Sequence, residues 1–179
     1  HMNNIREKYL NNLNNEFNLM MDLLQEQMNL VKNKLQNGKE ADISTAIITN
    51  EHKIDQLQNT LRNDIINAIA LQNPKAGDLR RIMACYDAVV DMERSADILE
   101  SISKRLTLLE NDKSILTLFN ENILQTFLYV EKMMINVIHA FVREDVDVAF
   151  GVISSDDKLD FLHRTSIAEL SSKTYSAET

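Results

Sequence analysis

The chain has 179 residues, of which 44% are hydrophobic, and its formal net charge at pH 7 is −8. This hydrophobic content excludes a wholly disordered chain, and the acidic balance disfavours nucleic acid as a partner, because nucleic-acid binding needs a basic surface. The single cysteine, Cys85, excludes an intramolecular disulfide and indicates a reducing compartment.

A scarcity of turn-forming residues predicts an all-α chain, because only three glycines and one proline interrupt the sequence. The first predicted helix runs from about Ile5 to Leu35 and ends at Gly38. Its apolar side chains recur three or four positions apart and form one stripe. These residues are Leu13, Phe17, Met20, Leu24, Met28, Val31 and Leu35.

A turn around Pro74 and Gly77 separates the second and third predicted helices. Asp42 is the predicted N-cap of the second helix and Asp78 that of the third, while Pro74 pushes the residue before it out of helical geometry. The predicted core faces are Ile43, Ile47, Ile54, Leu57, Leu61, Ile65 and Ala68 in the second helix, and Ile82, Cys85, Val89, Met92, Ala96, Leu99, Ile102 and Leu106 in the third.

The remaining sequence predicts two further helices after a linker at residues 110–114, which gives about five long helices in all. The fifth helix begins near Asp145 or Asp147. Because Glu131 and Lys132 interrupt the best candidate for a membrane span, we expect no direct membrane insertion. The core face predicted for the fourth helix is Ile123, Phe127, Val130, Met134, Val137 and Phe141.

An internal repeat indicates two related units, because residues 46–57 align with residues 151–162 at an offset of 105 positions. Residues 3–109 then form an up-down-up three-helix bundle. Residues 110–179 supply the first two helices of a second bundle, which is incomplete. The apolar face that the missing helix would cover predicts a contact with the first unit, with a second copy in a homodimer, or with a segment outside this chain.

Paired carboxylates form the candidate site. Glu51 and Asp55 lie four positions apart in the second helix, and Glu93 and Asp97 do so in the third, so each pair shares one helix face beside the core stripe. If the two helices pack antiparallel with these segments at one level, the four carboxylates converge. Such a cluster suits a hard cation such as Mg²⁺, Ca²⁺, Mn²⁺ or iron. The repeat carries the first pair again, as Asp156 and Asp160.

Solvated surface charge is the alternative explanation of this spacing. The chain holds four acidic residues followed four positions later by Asp, including the pair Asp87 and Asp91. A chain of this composition is expected to contain about two such pairs by chance, so the motif alone is a hypothesis.

Other site chemistries lack their signatures. No Glu-x-x-His motif is present, which disfavours a ferritin-type di-iron centre, and no glycine-rich loop is available to hold a phosphate. Cys85 falls on the predicted core face of the third helix, which favours a buried structural thiol over a nucleophile. These observations disfavour di-iron, phosphate-loop and thiol chemistry.

Two segments resemble a known family. Residues 74–82 read Pro-Lys-Ala-Gly-Asp-Leu-Arg-Arg-Ile, and residues 91–97 read Asp-Met-Glu-Arg-Ser-Ala-Asp. The turn and helix that these residues predict resemble the PhoU family, in which Pro-x-Ala-x-Asp-Leu-Arg precedes a helix with Asp-Leu-Glu-Arg-Ile-Gly-Asp-His. The resemblance covers essentially the whole chain. Ala96 and Ile98 depart from it, since the family has Gly and His at those positions.

The resemblance implies a cytoplasmic regulator of phosphate uptake that damps the phosphate-starvation response when phosphate is plentiful. It implies contact with the ATPase of the phosphate importer and with a membrane sensor histidine kinase. Some family members bind metal clusters through paired acidic motifs, so the resemblance also implies a divalent or ferric metal, namely iron, zinc, manganese or magnesium. Carried over to this chain, the metal ligands are Glu51, Asp55, Glu93, Asp97, Asp156 and Asp160.

With this resemblance, we predict an adaptor that acts by protein contact and is not an enzyme. Three other functions stay open. PhoU-like units also occur as the cytosolic part of sodium/phosphate cotransporters, and that is the first alternative. A metal-dependent helical hydrolase or redox enzyme is the second, although no residue of this sequence stands out as its general base. A purely structural bundle without a ligand is the third.

Overall fold

The computed structural model describes the backbone of residues 2–38, 42–109 and 113–143, and the side chains of residues 4–38, 42–109 and 122–137. This part of the chain is helical, without a strand, which confirms the predicted all-α class. It contains four long helices, α1 (Met2–Asn37), α2 (Ser44–Gln72), α3 (Ala76–Leu109) and α4 (Lys113–Arg143).

The first three helices pack against one another in every pairing, and α4 packs against α3. Because short connections join neighbouring helices that lie side by side, successive helices run in opposite directions. The predicted fifth helix and the second copy of the repeat lie outside the described residues, so the division into two repeats stays a prediction. Within the three described ranges, none of the helices is long and apolar enough to cross a membrane.

The helical period correctly predicts the core. All eight core residues predicted for α3 are buried, as are six of the seven in α1 and six of the seven in α2. The two exceptions, Leu35 and Leu57, are half-buried. In α4 the five predicted core residues whose side chains are described are buried, while the side chain of Phe141 lies outside that range. Phe17 and Phe127 are among the largest side chains that are completely enclosed.

The helix ends differ in part from the sequence predictions. Gly38, the predicted stop of α1, adopts a positive φ angle of 59°. Asn73, which precedes Pro74, is the C-cap of α2 and has a φ angle of 45°. The N-cap of α2 is Ile43, one residue after Asp42, although the carboxylate of Asp42 still accepts a hydrogen bond of 3.3 Å from the backbone N–H of Ser44.

Asp78 is not the N-cap of α3, because that helix already begins at Ala76 and Asp78 lies in its first turn. Its carboxylate instead accepts hydrogen bonds from Arg6 Nε at 2.6 Å and Arg6 Nη2 at 2.9 Å. Arg81 Nη1 lies 3.4 Å from the same group. Asp78 therefore connects the start of α1 to the start of α3.

Candidate functional site

Glu51 is a buried carboxylate on the core-facing side of α2. It lies one turn from both Ile47 and Ile54, which are buried, and only 8% of Glu51 is exposed to solvent. On the side facing α1, the side chain of Gln27 donates a 3.3 Å hydrogen bond to the carbonyl of Ile47. The helical period thus places the ionisable side chain of Glu51 at a position of α2 that core residues usually occupy.

The buried carboxylate of Glu51 has an incomplete set of partners. Its Oε2 atom is enclosed and receives no hydrogen bond from any donor in the described ranges. Burial is the largest cause that raises the pKa of Glu51, the negative charges of Glu100, Asp55 and Asp97 add to it in that order, and together they bring the pKa to about 7. Glu51 therefore needs a proton or a cation near its carboxylate at neutral pH.

Asp97 and Glu100 supply the other carboxylates from α3. One oxygen from each of Glu51, Asp97 and Glu100 lies within 4.8 Å of the other two. We call these three residues the acidic cluster. Burial raises the pKa of Asp97, while a hydrogen bond with the Glu51 carboxyl partly offsets this by lowering it. Lys104 Nζ lies 3.0 Å from Glu100 Oε1 and compensates part of the negative charge.

The predicted site residues therefore fall into three groups. Glu51 and Asp97 converge, as expected for helices that pack with these segments at one level. Asp55 is exposed and Glu93 is half-buried. Both raise the pKa of Asp97 through their charge but do not belong to the acidic cluster. Asp156 and Asp160 lie outside the described residues.

Glu100 is a member of the cluster that the sequence analysis missed. It follows Asp97 by three positions, and residues three apart lie on one helix face just as residues four apart do. A search for carboxylates at both spacings would have found it. The sequence alone does not show that Glu51, and not Asp55, is the member of the cluster from α2, because both residues lie beside the core stripe of that helix.

A second pair of carboxylates lies elsewhere in the bundle. Glu16 of α1 faces Asp64 of α2, and burial together with this neighbour raises the pKa of Glu16 to about 8. The Oε2 atom of Glu16 is enclosed and has no hydrogen-bond donor in the described part of the chain. Burial raises the pKa of the Cys85 thiol to about 12, with a smaller contribution from the charge of Glu16. The prediction of a buried Cys85 is confirmed, and a thiol with this pKa is a poor nucleophile.

Comparison with known proteins decides the family. Residues 17–106 match the family model described as PhoU domain. A PhoU homolog from Aquifex aeolicus is 32% identical over 151 residues, which cover 84% of this chain and 67% of the relative. The chain belongs to the PhoU family. The resemblance noted in the sequence is thereby confirmed.

Two further relatives extend the comparison. PhoU homologs from Clostridium acetobutylicum and Pseudomonas aeruginosa are 29% and 26% identical, over 93% and 84% of this chain. All three relatives are called phosphate-specific transport system accessory proteins. The matched part spans 67%, 75% and 62% of the three relatives in the order given.

The positions that depart from the PhoU motif leave the acidic cluster in place. Ala96, which stands at the motif's Gly, is 1% exposed and belongs to the core. Ile98, which stands at the motif's His, is half-buried and packs against the core. No histidine or cysteine belongs to a cluster of three or more such ligands in the described ranges, so the available donors there are carboxylate oxygens.

Proposed function

We propose that this PhoU-family chain is a cytoplasmic accessory protein of a phosphate-specific transport system. It regulates phosphate uptake and damps the phosphate-starvation response through protein contacts, with the importer ATPase and a sensor histidine kinase as partners. The observation that carries this proposal is the similarity to three proteins named as accessory proteins of such systems, over 84% to 93% of the chain. These names favour an accessory role over the cotransporter and enzyme alternatives.

Restoration of phosphate control in cells tests this role. The protein is expressed in a strain that lacks its own PhoU gene and carries an alkaline phosphatase reporter of phosphate starvation. We expect reporter activity in high phosphate to fall to the level of the parent strain. Unrepressed reporter activity despite normal amounts of folded protein would contradict the proposed role.

We further propose that the acidic cluster holds a hard cation. Ligand oxygens on opposite sides of one Ca²⁺ or similar ion are about 4 to 5 Å apart, so the 4.8 Å limit on the cluster's oxygens is compatible with a shared ion. The enclosed Oε2 of Glu51 has no donor within the described residues, and a cation would satisfy it. The all-oxygen donor set favours magnesium, manganese, calcium or iron over zinc. Such an ion would link α2 to α3 and offset their carboxylate repulsion.

Thermal melting of Glu51→Gln tests the cation site. Without a cation, this variant is expected to melt a few degrees higher than the wild type, because it removes a buried charge beside other carboxylates. At a Mn²⁺ concentration of about 100 times the dissociation constant, the wild type should gain about 2.7 kcal/mol, a melting shift of about 5 to 10 °C. Glu51→Gln should lose most of this gain.

The control is Asp87→Asn, which removes an exposed carboxylate from α3 outside the acidic cluster. This variant should keep the full Mn²⁺-dependent shift, and elemental analysis should find the same metal content as in the wild type. An equal shift in Glu51→Gln and Asp87→Asn would place the cation elsewhere.

A further inference from the structure

A concave groove lies between the first turns of α2 and the last turns of α3. Its volume is about 340 Å³, and its walls include Ile47 and Ile48 of α2 and Thr107 and Leu108 of α3. Ile48 is 51% exposed and Leu108 is 82% exposed. Single exposed aliphatic residues are common on protein surfaces. Two that border one concave volume form a site where another apolar side chain can be buried.

The exposed wall of the groove favours a side chain of a partner protein over a small molecule. Small-molecule sites usually measure about 300 to 1,000 Å³ and enclose most of the ligand. This groove lies at the lower end of that range, and Leu108 on its wall is largely exposed. A groove between two helices is also the setting in which proteins bind an amphipathic helix of a partner.

The negative charge beside the groove indicates that the occupant carries a basic residue. Glu100 belongs both to the groove wall and to the acidic cluster. Glu51 follows Ile47 by one turn of α2, so the apolar wall continues directly into carboxylates. Lys104 also borders the groove and lies 3.0 Å from Glu100, but its side chain is 70% exposed and can move aside. With a net charge of −8, the whole chain attracts a basic partner.

We propose that this groove docks a helical segment of a partner protein that inserts an aliphatic side chain between Ile48 and Leu108 and places a Lys or Arg on Glu100. Leu108 and Glu100 are eight positions apart in α3, a rise of about 12 Å. The aliphatic and basic residues of the occupant are therefore separated by at most about this rise, which corresponds to four to eight positions along a helix. The proposal rests on the proposed function for the identity of the partner, but its test uses no component of a phosphate transport system.

Because Glu100 belongs to both the groove and the acidic cluster, a partner that binds the groove competes with a cation that binds the cluster. An ion held by the acidic cluster and a basic side chain of the partner draw on the same carboxylate, so each lowers the affinity for the other. The binding test is therefore made in the presence of a chelator, and adding Mn²⁺ supplies a second readout. If the acidic cluster holds no cation, Mn²⁺ has no effect and the groove itself is still tested.

Selection from a phage-displayed library of random 16-residue peptides tests the groove. The full chain serves as the target, and peptides that bind the Ile48→Ser/Leu108→Ser double variant are removed. We expect the enriched peptides to carry an aliphatic residue and a Lys or Arg four to eight positions apart. No enrichment over the double variant would overturn the proposal, and that result is expected if residues 144–179 of this chain already cover the groove. Enriched peptides without a basic residue would also overturn it.

Affinity measurements on one selected peptide give the matched controls. Ile48→Ser and Leu108→Ser should each weaken binding at least tenfold, and Glu100→Gln should weaken it several-fold and reduce its salt dependence. Leu71→Ser replaces a leucine that is 73% exposed near the other end of α2 and should leave the affinity unchanged. Equal losses in Leu71→Ser and Leu108→Ser would overturn the proposal. A wild-type dimer that Leu108→Ser dissociates would assign the groove to a second copy instead.

Discussion

Replacing Glu16 by Gln is expected to stabilise the folded chain at alkaline pH by about 2 kcal/mol. Burial raises the pKa of Glu16 from an ordinary value of 4.5 to about 8, with Asp64 as the nearest carboxylate. The folded state therefore holds a proton that the unfolded state has already released between these two pH values. The favourable contribution is complete below pH 4.5 and is lost as the pH rises through about 8. The expected magnitude allows for the partial solvent exposure of Glu16.

Urea unfolding at pH 5, 7 and 9 measures this effect. The free energy of unfolding of the wild type should fall over this range relative to that of Glu16→Gln, because Gln does not titrate and presents no buried charge. Glu26→Gln, which changes an exposed glutamate of the same helix, is the control and should follow the wild type. A Glu16→Gln variant with the same pH dependence as the wild type would show that Glu16 titrates in the ordinary range.

Replacing Asp78 by Ala is expected to lower the free energy of unfolding at pH 7 by about 2 kcal/mol. The carboxylate of Asp78 is 9% exposed and accepts two hydrogen bonds from Arg6, which precedes it by 72 positions. Paired hydrogen bonds between Arg and a carboxylate are stronger than neutral ones, and losing one partner of a charged pair costs about 1.5 to 3 kcal/mol. We expect a loss in the free energy of unfolding below the upper end of that range because the side chain of Arg6 is 48% exposed and solvent weakens the ion pair.

Acid pH provides the internal control for Asp78. The hydrogen bonds from Arg6 hold the pKa of Asp78 below its ordinary value of 3.8. The stabilising contribution is therefore present above that ordinary value and is lost as the pH falls through the lowered folded pKa. Thermal melts of wild type and Asp78→Ala should differ by several degrees at pH 7 and converge towards pH 2. The exposed Asp87→Ala serves as the matched variant on α3. A difference that persists at pH 2 would assign the loss to packing.

The helices and their core faces follow from the sequence, since a period of three to four residues depends only on local geometry. Phe17, Met92 and Val130 are buried where that period predicts. Asp78 shows the limit of this reasoning. An Asp that follows a Pro-containing turn is a typical N-cap residue, which is why the sequence predicts that role for Asp78. Its actual partner, Arg6, is brought to it by the packing of α1 against α3.

The sequence predicts which faces of α2 and α3 carry the candidate site, but not every residue that belongs to it. The paired motifs correctly place Glu51 and Asp97 on facing segments of α2 and α3. The spacing of three positions already places Glu100 beside Asp97, but the sequence does not fix which carboxylates of α2 meet them. The packing of α2 against α3 brings Glu51 into the cluster and leaves Asp55 outside it. The groove near Leu108 depends in addition on where α2 begins and α3 ends.

Direct binding to the importer ATPase and the sensor kinase would show whether this protein acts on phosphate uptake by contact. The protein is immobilised, and the purified ATPase subunit of the phosphate importer and the sensor kinase, both from the same organism, are titrated over it separately. We expect saturable binding with a dissociation constant of about 10 μM or tighter, which corresponds to about −7 kcal/mol, and weaker binding after Leu108→Ser. An absence of binding at about 100 μM to both the ATPase and the cognate sensor kinase would contradict the claim that this PhoU-family protein regulates phosphate uptake by contact.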